Sequence, residues 1–212
     1  MPARGRLIAL EGIDGCGKST QAGALADALG VRLTFEPGAT PVGARLRELL
    51  LAPDAPPPVP RAEALLMAAD RAEHVARVLE PALAAGRWVV SDRYAASTIA
   101  YQGYGQGLDP AALAELVGWA TGGLAADLSV LVDVGVEVAG ERLAAGGKGR
   151  GDRLERLGPD FARRVREGFL AQAAEDPNHW IVVDGTLEVP ALTAHIVASV
   201  RDRLGAAPSG RP

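Results

Sequence analysis

Between the apolar run Leu7-Ile8-Ala9-Leu10 and a stretch of helical spacing that stops at Gly30, the chain reads Gly12-Ile13-Asp14-Gly15-Cys16-Gly17-Lys18-Ser19. This is G-x-x-x-x-G-K-[ST], placed after a predicted strand and opening a predicted helix, the context the pattern requires. Glycines let successive backbone N–H groups converge on phosphate oxygens, and the helix N-terminus adds positive potential. Lys18 can reach the β- and γ-phosphates of a triphosphate, and Ser19 can offer a hydroxyl to Mg²⁺. Lys18 is one of only two lysines, with Lys148, in a chain holding 22 Lys+Arg, so it departs from the default cation of this sequence. The candidate triphosphate-binding residues are Gly12, Ile13, Asp14, Gly15, Cys16, Gly17, Lys18, Ser19 and Thr20. Cys16 is a small residue in a tight loop with no chemistry of its own.

Outward from this loop, strands alternate with helices. Strands are read at Arg6–Glu11, Val31–Phe35, Trp88–Asp92, Leu128–Val134 and Trp180–Val183. Helices are read at Lys18–Leu29, Val42–Leu51, Arg61–Leu83, Pro110–Ala120, Glu137–Ala145, Pro159–Glu175 and Val189–Leu204. Pro53 to Pro60 can only be a loop, and the Tyr- and Gly-rich segment after Asp92 is read as a polar loop. In the long helix, Leu65, Leu66, Ala69, Val78, Leu79 and Leu83 form one apolar stripe. The strands are continuous apolar runs, which calls for a parallel sheet covered on both faces. The expected architecture is an α/β, P-loop NTPase-type parallel sheet of about five strands flanked by helices, in one domain spanning residues 1–212. Ligands of such sheets sit beyond the carboxyl ends of the strands, here residues 12–20, 36–38, 92–102 and 184–188.

Composition narrows the class. The chain has 212 residues, 48% of them hydrophobic and 23% charged, which is globular usage. A net charge of −4 argues against nucleic acid as a partner. One cysteine excludes an internal disulfide framework and a cysteine-cluster metal site. The N-terminal segment is neither a signal peptide nor a membrane span, and the expected compartment is the cytoplasm. No Asn-Lys-x-Asp tetrad follows a later strand, so a GTPase is excluded.

Phosphoryl transfer between nucleotides would bring several phosphates into one cleft, and forked guanidinium groups suit their oxygens. The candidates are Arg45, Arg71, Arg93, Arg150 and Arg153. Gly146 to Arg153 reads as a mobile basic lid, within about 144–156, whose glycines are hinges and whose Lys148, Arg150 and Arg153 close over the transferred phosphate. The tail, 205–212, is expected to fray. His74, His179 and His195 are isolated and read as surface or helix-face residues, leaving no histidine base. A phosphate acceptor needs none: with a second pKa near ~6 it is already largely dianionic. A sugar-hydroxyl acceptor would favour a carboxylate base, for which Asp92 or Glu36 is available.

Four segments now combine: EGIDGCGKST from Glu11 to Thr20, EPGATP from Glu36 to Pro41, AADR from Ala68 to Arg71, and DRYAASTIAYQG from Asp92 to Gly103. In this order they resemble the thymidylate kinase family, and the likeness runs from about residue 6 to 204, its most specific part between Asp92 and Gln102. The resemblance implies ATP and dTMP as substrates, Mg²⁺ as cofactor, dTDP and ADP as products, and a homodimer formed through long helices. It implies that Lys18, Arg93, Arg150 and Arg153 are catalytic. It also implies a dTMP pocket built from Asp14, Glu36, Pro37, Met67, Arg71, Arg93, Thr98, Tyr101 and Gln102. In that pocket Arg71 and Arg93 hold the phosphate and base region, Thr98 and Gln102 face the thymine edge, and Tyr101 lies beneath the sugar and disfavours a 2′-hydroxyl. Ser19 and Asp92 would serve the metal, Asp92 through water. Gly15 together with Arg150 and Arg153 matches the type whose basic residues sit in the lid. Three departures stand out: Phe35 where many relatives have Arg, Ala39 for a second Gly, and Met67 where an aromatic commonly stacks on the base. The competing readings are another small kinase acting on a cytidylate or a deoxynucleoside, against which the Thr98–Gln102 run speaks, and a non-catalytic nucleotide-dependent switch.

Overall fold

A computed structural model of the chain describes residues 4–52, 56–146 and 153–207. Five strands form one parallel sheet, β1 (Leu7–Glu11), β2 (Arg32–Phe35), β3 (Val89–Asp92), β4 (Leu128–Asp133) and β5 (Trp180–Asp184), in the order β2-β3-β1-β4-β5. The alternation of side chains along β1 explains why its whole run is apolar. Ile8 and Leu10 enter the cluster that contains Val90, Val130, Leu25 and Phe169, while Leu7 and Ala9 enter a second cluster with Val75, Leu79 and Val89 on the opposite face. Each fully buried Leu or Ile contributes about 1.5–3 kcal/mol, so both faces must be covered, and helices cover them.

The helices are α1 (Lys18–Leu29), α2 (Pro41–Leu51), α3 (Pro60–His74), α4 (Glu80–Ala84), α5 (Ala95–Thr98), α6 (Pro110–Thr121), α7 (Val136–Ala145), α8 (Pro159–Glu175) and α9 (Val189–Leu204). Local sequence sets several of their ends. Thr40 caps α2 by accepting the Gly43 N–H at 2.9 Å, Asp109 caps α6 by accepting the Ala111 N–H at 3.0 Å, and each is followed by a proline at the first turn.

The long helix read over Arg61–Leu83 is interrupted. Val75–Leu79 is a π-turn in which the Glu80 N–H reaches back to the Val75 carbonyl, and Pro81, which has no N–H to continue an α-ladder, follows at once. The stripe divides at this point. Val78, Leu79 and Leu83 are buried, but Leu65 and Ala69 are exposed and Leu66 is half-buried. The buried face of α3 is instead largely polar: Glu63, Asp70, Arg71 and His74. The segment after Asp92, read as a polar loop, is helical. Short α5 runs directly into a second π-segment, Ile99–Gly105. This segment packs closely on α8; a Cβ at Gly105 would lie 2.6 Å from the Phe161 ring. The Gly105 carbonyl accepts two N–H groups of Arg164, at 3.1 and 2.9 Å. Tertiary packing overrides the turn-like composition here.

Register fixes where the site lies. Leu10 pairs with Asp92, and Phe35 with Asp92 from the other side. The chain therefore leaves β1, β2 and β3 at one level along the carboxyl edge of the sheet. Part of the lid reading falls at Lys148 and Arg150, and part of the tail reading at residues 208–212, all outside the described residues.

Candidate active site

The loop after β1 takes the conformation its glycines permit, with φ of +144°, +83° and +95° at Gly12, Gly15 and Gly17. At Gly15 nothing larger fits: a Cβ would lie 2.3 Å from the Ala139 carbonyl oxygen. Ile13 and Cys16 turn down into the core and anchor the loop; burial pushes the Cys16 thiol up, against the opposing charge of Lys18, so it is inert. From α7, Arg142 donates to the carbonyls of Cys16 (3.3 Å) and Gly185 (2.9 Å), tying the loop to the segment that follows β5. Asp14, Lys18 and Ser19 face a cavity of about 640 Å³ at the carboxyl edge of the sheet; Thr20 is exposed at the start of α1.

All nine residues assigned to the acceptor pocket line this one cavity, and Asp92 lines it too. Three of the four segments picked out at strand ends converge there. The fourth, 184–188, lies beside the phosphate loop through Arg142 and does not line the cavity.

The centre of the cavity is a hydrogen-bonded cluster. Lys18 Nζ donates to Asp14 Oδ1 at 3.2 Å, Arg93 Nη2 donates to the same oxygen at 2.5 Å, and the Tyr101 hydroxyl donates to Asp14 Oδ2 at 2.8 Å. Burial would raise the Asp14 carboxyl, but Arg93, Lys18 and the Tyr101 hydroxyl outweigh it and hold the group well below the usual carboxylate range. Arg93 has a φ of +72° and also donates to the Gly12 carbonyl and to Ser97, both at 3.1 Å. Its guanidinium lies 4.8 Å from the centroid of the Tyr101 ring. Phe161 and Phe169 meet that ring edge-on at 6.1 Å, so it is fixed on every side.

A second cluster lies under the Glu36 side. Arg71 Nε donates to Glu36 Oε2 (2.8 Å), Nη1 to Thr98 Oγ1 (2.8 Å) and Nη2 to the Tyr94 carbonyl (3.0 Å). His74 is fully buried, its Nδ1 2.8 Å from Glu36 Oε1 and its Nε2 2.7 Å from Thr34 Oγ1. This corrects its reading as a surface or helix-face histidine; His179 and His195 are exposed, as expected. Asp70 accepts the Gly38 N–H at 2.9 Å. Burial and neighbouring Glu36 push its carboxyl up to about 6, against the pull of the Gly38 N–H, His74 and Arg71. Beneath β3, buried Glu11 accepts from the Tyr94 N–H (2.9 Å) and the Ser97 hydroxyl (2.6 Å), and burial raises it to about 7 against the pull of Ser97, Arg93, Tyr94 and Arg71.

Two arginines differ from expectation. Both Arg45 and Arg47 are exposed, but only Arg47 lines the cavity, where it donates to the Pro37 carbonyl at 2.7 Å. Position 47 follows buried Gly43 by one helical turn, which places it on the inner face of α2. Arg153 donates to the Leu50 carbonyl (3.1 Å) and to Glu63 and is not among the cavity-lining residues; its neighbour Leu154 is. Sequence reasoning missed Glu11, Arg47, Glu63, Asp70, Ser97 and the role of His74. A signal existed for α3: Glu63, Met67, Asp70, Arg71 and His74 recur at i, i+4, i+7, i+8 and i+11, one helical face of mostly polar residues.

A phosphate-wrapping loop after the first strand of a parallel sheet, opening onto an arginine-rich cavity, defines a P-loop nucleotide-binding protein. The family model described as Thymidylate kinase matches residues 10–196. A thymidylate kinase of Geotalea uraniireducens is 43% identical over 209 residues, covering 94% of this chain and 98% of its own length. One from Synechococcus sp. (strain RCC307) is 46% identical over 212 residues, covering 95% and 98%. The crystal structure of thymidylate kinase from Ehrlichia chaffeensis superposes with a TM-score of 0.77 at 29% identity, over 94% of this chain and 100% of that one. The chain belongs to the thymidylate kinase family.

Proposed function

We propose that residues 12–20 hold ATP with Mg²⁺ while the adjoining cavity holds dTMP, whose phosphate oxygen attacks the γ-phosphorus. The bond to the β,γ-bridging oxygen breaks, and dTDP and ADP result. Phosphorylation of dTMP is the reaction of this family, and its product feeds dTTP synthesis. The observation that carries the placement is the meeting of Lys18 and Arg93 on Asp14 Oδ1, at 3.2 and 2.5 Å. The cation for the donor phosphates and the cation for the acceptor phosphate are thus within one side chain of each other, as transfer between two phosphates requires.

Each group has a task. Lys18 and the main-chain N–H groups of the loop neutralise the β- and γ-oxygens. Arg93 and Arg71 hold the acceptor phosphate and the base region, and Thr98 and Gln102 face the base edge. Tyr101, rigid between Arg93, Phe161 and Phe169, rejects an added 2′-hydroxyl by crowding. Phe35 and Met67 both line the cavity and cover the base face between them, offsetting the missing aromatic at position 67. Arg150 and Arg153 supply charge at the transferred phosphoryl group, Arg153 by exchanging Glu63 for phosphate.

A magnesium site fits the residues present. Asp92 Oδ1 is buried and accepts no hydrogen bond among the described residues, and the same cavity is lined by Ser19. One carboxylate, one hydroxyl and phosphate oxygens suit a hard cation that keeps several waters. When bound, Mg²⁺ would neutralise the charge that develops between the β- and γ-phosphates.

We place the reaction in the cytoplasm, because its substrates are charged nucleotides that membranes do not pass. Among the described residues no helix is long and apolar enough to cross one. The protein is proposed to act as a homodimer through α3 and α6, which pack together and leave Leu65 59% and Trp119 83% exposed. Trp119→Glu should then shift the sedimentation of the protein toward a monomer. The reaction itself is tested by coupled ADP release across dTMP, CMP, thymidine and no acceptor. Preference for dTMP is expected, and preference for thymidine or CMP, or release without acceptor stimulation, would refute the assignment.

A further inference from the structure

Glu63 lies on α3 beneath the far wall of the cavity and is fully buried. Its Oε1 accepts the side-chain amide N–H of Gln102 at 2.8 Å and that of Gln106 at 2.5 Å, and its Oε2 faces the Arg153 guanidinium. Three donors converge on one carboxylate, two from the π-segment and its end and one from Arg153. None of these contacts caps the helix, and in the reaction as described above Glu63 meets no substrate and serves only as the resting partner of Arg153.

The consequence falls on the two glutamines. A carboxylate paired with a guanidinium accepts and does not donate. Both amides must therefore turn their NH₂ groups toward Glu63. For Gln106 this leaves Oε1 buried without a partner among the described residues, an arrangement that is unfavourable by itself. The pull of Glu63 outweighs that cost. Gln102 is turned the same way, but it lines the cavity, so the group it can present there is its carbonyl oxygen. A carbonyl oxygen accepts the N3–H of thymine. Cytosine has an acceptor at N3 and meets the same oxygen lone pair to lone pair.

The geometry points to Glu63 as a positioning residue for base selection: by accepting the Gln102 amide it fixes which end of that amide faces the base, and so favours a pyrimidine that donates at N3 over one that accepts there. The inference rests on the reading that Gln102 faces the base edge. It deepens that reading by naming what makes the glutamine selective, since a free amide could rotate and serve either base.

Glu63→Gln tests it. The substituted amide can donate as well as accept, so Gln102 is released to turn its NH₂ group to the cavity. Dissociation constants for dTMP, dCMP and an ATP analogue are measured by calorimetry on wild type and variant, with thermal melts to show that both are folded. The preference for dTMP over dCMP is expected to narrow by about tenfold or more, the worth of one misplaced hydrogen bond, with ATP-analogue binding changed by less than about twofold. A general loosening would weaken all three ligands together and leave the dTMP:dCMP ratio in place; that outcome, or an unchanged ratio in a folded variant, overturns the proposal. If Glu63→Gln does not fold, Glu63→Leu combined with Gln106→Leu removes the carboxylate together with one of its buried donors, leaves Arg153 in place, and frees the same Gln102 amide for the same measurement. A wild-type protein that binds dCMP as well as dTMP would refute the underlying placement of Gln102, and is read separately from the variants.

Discussion

Asp14 on the phosphate loop and Arg93 at the end of β3 meet at 2.5 Å, joining two segments that are 79 residues apart in the chain. Lys18 and Tyr101 reach the same carboxylate, so one side chain holds together the two cations proposed for the two substrates.

Asp14→Asn should therefore lower kcat/KM for dTMP by about 10- to 100-fold, the range of one hydrogen bond to a charged group, with the far-UV spectrum unchanged. Steady-state kinetics checks it, and a loss under about threefold would contradict the alignment. The stability has a signed pH dependence. The folded carboxyl is held below its unfolded value of 3.8, so its contribution is complete above that pH and is lost as the pH falls further. The wild type should lose its advantage over the variant only below about pH 4 in urea titrations.

Glu11 works in the opposite direction. Its carboxyl rises from 4.5 to about 7 in the fold, so between those values the folded state binds more protons than the unfolded one. Stability therefore declines as the pH rises through that window. Glu11→Gln can still accept from the Tyr94 N–H and hydrogen-bond Ser97. It should flatten the decline between pH 4.5 and 7 and be at least as stable as wild type at pH 7. Parallel slopes for the two proteins would refute the buried-acid account.

On α2 two arginines separated by one residue make a paired test. Arg47 lines the cavity and holds the Pro37 carbonyl, while Arg45, also exposed, does not line it. Arg47→Ala should raise KM for dTMP by about tenfold and Arg45→Ala by less than about twofold. Equal effects would mean that the helix faces another way.

Two loop glycines separate crowding from conformational strain. Gly15→Ala meets the Ala139 carbonyl at 2.3 Å, whereas Gly17→Ala meets only the tip of Arg142 at 4.0 Å. Both carry the strain of positive φ, roughly 1–2 kcal/mol. The first should also displace α7, raise KM for ATP at least about tenfold and lower Tm further than the second. Indistinguishable variants would show that the approach of α7 is not limiting.

The parts of this molecule that sequence made legible are those whose causes are local. The phosphate loop announces itself through glycines and a rare lysine, and β1, β3 and β4 through apolar runs covered on both faces, whereas the edge strands β2 and β5 leave Leu33, Phe35 and Val182 exposed. The helix after Asp92 was hidden because its Gly-Tyr-Gln composition is turn-like and only packing against α8 winds it. Leu65 and Ala69 share a sequence stripe with buried Val78, Leu79 and Leu83, because periodicity reports a face without saying which neighbour covers it. His74, Glu63 and Asp70 carry no motif; each is buried because a partner distant in sequence, Glu36, Gln102 or Gly38, meets it there. Arg47 was passed over for Arg45 because nothing in the sequence says which side of α2 faces inward.

The π-segment Ile99–Gly105 holds Tyr101 and Gln102 in a widened helix closed at Gly105 by Arg164. An α-helix turns the chain by about 100° per residue, and the widened π-segment by somewhat less. Removing or adding a single residue between Ala95 and Pro110 would swing the Tyr101 ring and the Gln102 amide away from the cavity they line, however harmless the composition of the change. This stretch can therefore vary in spelling but not in length, and engineered shortening or lengthening belongs in the Pro-rich connection before α3.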